Sequence, residues 1–110
     1  MTTEEKRRLL SEHLAEIRKW TYDALAAEID RTRNRHECLR HTEGVFDDGT
    51  VYQIEIDVFW DDKRKGCVRV CADISTQPQR RLLGILPVYI PDCTDSFLVS
   101  TDGAFVGELT

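Results

Sequence analysis

The chain predicts an α+β fold: one long N-terminal helix packed on a four- or five-stranded antiparallel sheet in meander order. Three observations predict it. Apolar residues recur at steps of three and four up to residue 29. The stretch Thr50–Ile74, TVYQIEIDVFWDDKRKGCVRVCADI, alternates apolar and polar residues on both sides of a charged turn. Every other strand-like stretch also follows the helical one.

The bulk numbers bound the answer. A chain of 110 residues makes one domain, 1–110, large enough to bury a core, and 41% apolar residues argue against wholesale disorder. A net charge of −5 argues against nucleic acid as the main partner, because phosphate binding needs clustered Lys and Arg. The N-terminus, MTTEEKRRLLSEHLAEIRKW, holds no apolar run of signal-peptide length, and nothing later approaches about 18 consecutive apolar residues. The expectation is a cytoplasmic protein with no membrane partner. Four cysteines without a secretion signal then read as reduced thiols.

The helix is expected over residues 3 to 29. Leu10, Leu14, Ile17, Thr21, Leu25 and Ile29 form its stripe, widened by Leu9 and Trp20. Thr2 followed by Glu5 has the form of a capping box, and Glu4 places charge near the positive end of the dipole. Such a helix spans roughly 40 Å, more than a small sheet needs, so its far end would overhang or meet a second copy.

Residues 31 to 41, RTRNRHECLRH, show neither period. They carry +3 against −8 for the rest of the chain. Arg31, Arg33, Arg35 and Arg40 are either a basic patch for an acidic partner or ion-pair partners for acids of the sheet or of a second subunit. Asp48-Gly49 between apolar residues signals a hairpin, so a short strand should precede the central pair.

In that pair Tyr52, Ile54, Ile56, Val58 and Trp60 point one way with Val68, Val70, Ala72 and Ile74. Two compact registers keep the faces matched. One sets Asp57 against Arg69 and Glu55 against Cys71; the other sets Glu55 against Asp73, like charge on like, and is disfavoured. The turn 61–66 ends on Gly66, suited to positive φ. Ser75–Gln79 reads as a polar loop. Arg80–Pro91 reads as an edge strand that breaks at Pro87, because proline cannot donate to a ladder. Ser96–Ser100 and Ala104–Val106 read as short strands around Thr101-Asp102-Gly103.

The combination YQIEIDVFWDD, then VRVCADI, then PDCTDSFLVSTDGAFVGE resembles small uncharacterised bacterial α+β proteins. Their second halves similarly run from an acidic-turn hairpin to a closing DG-x-FVGE segment. The likeness covers about the last 60 residues. It implies kinship of fold, with no activity attached.

Chemistry is sought first on the polar face of the hairpin, where Glu55, Asp57, Phe59, Arg69, Cys71 and Asp73 converge beside Gln53. Carboxylates beside an arginine and a thiol could serve acid–base work or a cation, or could be a solvated face. Phe59 with Cys67 and Cys71 on that face points instead to cover by another segment or protomer. His36, Cys38 and His41 with Cys67, Cys71 or Cys93 match no common zinc spacing; Cys67 and Cys71 would lie roughly 13 Å apart on a strand. No metal site is expected. Cys93, between aspartates in a loop, lacks the positive neighbour a nucleophilic thiolate needs. Glycine loops for phosphate, serine elbows and dinucleotide fingerprints are missing too, so no catalytic residue and no cofactor is expected. The leading expectation is a non-enzymatic interaction domain that self-associates as a homodimer. The alternatives are a small enzyme or ligand binder using the polar face, and a regulatory protein touching nucleic acid through the 31–41 stretch.

Overall fold

Thr2 opens the first helix by accepting from the Glu5 amide at 3.1 Å while its hydroxyl donates to the Glu5 carboxylate at 3.2 Å. These distances come from a computed structural model that describes residues 2–76, 80–82, 86–88 and 92–107. Helix α1 covers Thr3–Ile17 and stops there. The chain bends through 18–21, and α2 covers Tyr22–Arg35, so two helices replace the single one expected over 3–29. Thr21 is the reason. Its hydroxyl accepts from the Ala24 amide at 3.1 Å, and Asp23 sits in the new first turn, so Thr21 is an N-cap rather than a member of the stripe. The three-four spacing survives the break because Leu10, Leu14, Ile17, Leu25 and Ile29 all reach one core. Helix α2 takes in Arg31, Arg33 and Arg35. His36 ends it at φ 56°, with the Glu37 amide donating to the Thr32 carbonyl at 3.0 Å.

Strands β1 (Arg40–Val45), β2 (Val51–Trp60), β3 (Val68–Ser75) and β6 (Cys93–Val99) form one antiparallel sheet in the order β1-β2-β3-β6. The expected hairpin at Asp48-Gly49 joins β1 to β2: Gly49 takes φ 88°, and the Phe46 amide donates to the Thr50 carbonyl at 2.8 Å. Strands β4 (Arg80–Leu82) and β5 (Leu86–Val88) pair with each other in a separate two-stranded sheet. The main sheet therefore has four strands, and Pro87 lies within β5 opposite Arg81 instead of breaking a strand. The rest of the 80–91 stretch lies outside the described residues. The last expected pair is also reshaped. β6 begins at Cys93, and the chain returns after Gly103 in a single bridge between Val99 and Phe105.

The central register is the one expected to be disfavoured. Glu55 faces Asp73, Asp57 faces Cys71, and Phe59 faces Arg69. The turn dictates it. The Asp61 amide donates to the Cys67 carbonyl at 2.9 Å, and Lys65 takes the left-handed conformation at φ 66°, so the loop closes one step longer and sets Trp60 against Val68. Outer strands relieve the like-charge pair: the Thr94 hydroxyl donates to Asp73 at 2.7 Å, and His41 Nδ1 lies 3.5 Å from Glu55.

Both helices pack on the even-numbered face of β2 and β3, α1 against β3 and β6 and α2 against β2 and β3. Leu10, Leu14, Ile17 and Leu25 meet Ile54, Ile56, Val68, Val70, Ala72 and Ile74 there, all buried. A fully buried Leu or Ile contributes about 1.5–3 kcal/mol relative to exposure, so this face holds the fold together.

Candidate functional site

Alternation along β2 and β3 places Glu55, Asp57, Phe59, Arg69, Cys71 and Asp73 together on the face away from the helices. Register arranges them in rows across the sheet. Glu55 and Asp73 lie between His41 and Thr94; Asp57 and Cys71 run on to Ser96; Phe59 and Arg69 run on to Leu98. The expected Asp57–Arg69 pair does not form, because that register is not adopted. Arg69 instead donates to Asp61 at 2.6 Å and to the Ser96 hydroxyl at 3.3 Å.

The centre of this face is acidic and the ends are apolar. Burial, with Glu55 and Asp73 as like-charged neighbours, raises the Asp57 carboxyl above its ordinary value of 3.8. Burial also raises the Cys71 thiol, against the pull of Arg69. Cys38 joins the group, its thiol raised by burial and then by Glu55 and Asp57. At the ends stand Phe59, 41% exposed, and Val45 and Val51, 65% and 58% exposed.

The other thiols go elsewhere. Cys67 lies in the turn before β3, within electrostatic reach of Tyr22, and Cys93 starts β6 opposite Ile74 and packs against the core. Cys93 therefore lies in a strand and not in the loop expected. Among the described residues no group of three or more His, Cys, Asp and Glu side chains could hold a metal ion. No described helix is long and apolar enough to cross a membrane.

The basic stretch divides. Arg31 bonds Glu28 and lies 3.4 Å from Glu37, a pairing local to α2. Arg33, Arg35 and Arg40 are exposed and pair with no acid among the described residues. The sheet acids are thus not their partners within one chain.

One feature of the site escaped sequence reasoning. A groove of about 570 Å³ runs between the end of α2 and the tip of β2, over Ile29, Thr32, Arg33, Asp57, Val58, Phe59 and Trp60. It borders the polar face through Asp57 and Phe59. No sequence period marks it, because it exists only where β1 stops short of the end of β2.

No family model, curated protein or solved structure matches the chain.

Proposed function

We propose that this protein is a non-enzymatic interaction domain that self-associates as a homodimer. One observation carries the reading: both helices cover the same side of the sheet, leaving a face with three clustered carboxylates and the exposed Val45, Val51 and Phe59. Large apolar side chains beside a charge cluster mark a surface that another macromolecule covers. The chain supplies a complement of its own in Arg33, Arg35 and Arg40, which have no acidic partner among the described residues. A two-fold arrangement lets each basic helix end meet the partner's acidic sheet, so one operation satisfies both patches twice.

Light scattering across tens of micromolar tests this. A dimer that weakens with added salt and with Arg35→Glu supports it; a monomer throughout removes it.

A further inference from the structure

The ladder between β1 and β2 ends before β2 does. Its last pair is Arg40 with Ile56, and the Leu39 amide caps it by donating to the Ile56 carbonyl at 2.8 Å. Beyond that point β2 continues through Trp60 with no strand on that side among the described residues. Which backbone groups are left facing outward follows from two bonds. Phe46 donates to Thr50 on the β1 side, and Asp61 donates to Cys67 on the β3 side. Alternation then directs the even residues of β2 toward β1 and the odd ones toward β3. Val58 and Trp60 therefore turn their N–H and C=O groups to an empty edge, and none of these groups bonds to protein among the described residues.

We infer that this edge takes one further strand: an extended peptide of another protein that pairs with Val58 and Trp60 and lays apolar side chains in the groove against α2. Two paired residues offer up to about four backbone hydrogen bonds. The groove floor of Ile29, Val58 and Trp60 takes every second peptide side chain, as a strand's alternation requires.

Charge narrows the occupant. His36 and Glu37 line the same end of the groove as Arg33; Glu37 is met by Arg31 at 3.4 Å, whereas Arg33 has no acidic partner among the described residues and selects a carboxylate toward that end of the peptide. Asp57 lies one step from the facing pair Glu55 and Asp73 and excludes a carboxylate directly opposite it. The free outer edge of β1 is a poorer place to pair. His41 and Glu43 guard it with polar side chains, a common defence of edge strands. The groove shares Arg33 with the surface proposed for self-association and borders it at Asp57 and Phe59, but the two are read separately, one by amide shifts and the other by light scattering.

The probe is a terminally blocked hexapeptide of alternating valine and threonine closed by glutamate, titrated into isotope-labelled protein and followed by amide NMR. Saturable shifts at Val58 and Trp60, with hydrogen exchange slowed about tenfold or more at those two amides, are expected. Two further peptides separate strand pairing from simple apolar binding. N-methylation of the valines in one, and of the threonines in the other, should weaken binding by about tenfold in only one of the two. Arg33→Glu should weaken the glutamate-ended peptide and spare one ended by lysine. The inference is overturned by an absence of shifts at about 1 mM peptide. It is equally overturned by shifts that bypass Val58 and Trp60, or by equal losses for both methylated peptides. Protection of the same amides that grows with protein concentration alone would assign the edge to a second copy and also overturn it.

Discussion

Glu55 and Asp73 face each other across β2 and β3, with Asp57 one step along the same face. The fold accepts this repulsion, about 0.2–1 kcal/mol for like charges opposite one another, because the turn through Lys65 sets the register and Thr94 and His41 relieve the pair from the outer strands.

A pH dependence follows. The Asp57 carboxyl is raised in the folded state, by burial first and then by Glu55 and Asp73, so its ionised form opposes folding. Its contribution worsens as pH rises from the ordinary carboxylate value of 3.8 through the higher folded-state value. Asp57→Asn should raise stability at pH 7 by roughly 0.2–1 kcal/mol and leave it unchanged near pH 3. Urea unfolding of both proteins at the two pH values measures it, and equal gains at both would refute the electrostatic cause.

Asp92 behaves in the opposite sense. Desolvation pushes its carboxyl up, but the Thr76 hydroxyl at 2.6 Å and the Lys6 ammonium at 2.9 Å outweigh it, and the net shift is down. The pair ties α1 to the entry of β6 across 86 positions of chain, with both side chains mostly buried. Its stabilisation is present above 3.8 and is lost as pH falls through the lowered folded-state value. Lys6→Met should cost about 1.5–3 kcal/mol at pH 7 and much less in acid. Unfolding curves across pH would show whether the two proteins converge there.

Gly44 is fixed by its neighbour. It pairs with Tyr52, whose ring lies across it and packs at a tilt of 43° on Phe46 with centroids 4.5 Å apart. A Cβ at 44 would meet the Tyr52 ring at 2.3–2.8 Å, inside any real contact. Gly44→Ala must displace that ring, and a loss of about 1–3 kcal/mol is expected. In Tyr52→Ala the obstruction is gone, so adding Gly44→Ala should cost little, which a double-mutant cycle would read directly.

The two faces of the hairpin were legible in the sequence because side-chain alternation is a property of the strand itself. Glu55, Asp57, Phe59, Arg69, Cys71 and Asp73 follow from parity alone. Register was not legible, because it depends on Lys65 adopting positive φ and on His41 and Thr94 arriving from other strands to serve Glu55 and Asp73. The helix break was hidden for a related reason: Thr21 fits an apolar stripe by spacing and an N-cap by chemistry. Replacing it decides which matters. Thr21→Ala should cost about 1 kcal/mol, and Thr21→Asp should cost little although it is charged. A stripe residue would show the reverse order.

The thiols report on the same acidic cluster from outside it. Cys38 and Cys71 are both raised by burial, and Asp57 adds to the effect at each. The thiolate is the reactive form, so both should be alkylated slowly at pH 7. Asp57→Asn removes one charge that opposes ionisation at the two sites together. Their alkylation should then speed up a few-fold, with Cys93, packed against the core, unchanged. Site-resolved mass spectrometry after brief iodoacetamide treatment distinguishes this from general loosening of the fold, which would expose Cys93 as well. Acceleration confined to Cys38 and Cys71 would establish that residues from the α2–β1 connection, β2 and β3 share one electrostatic environment on the uncovered face.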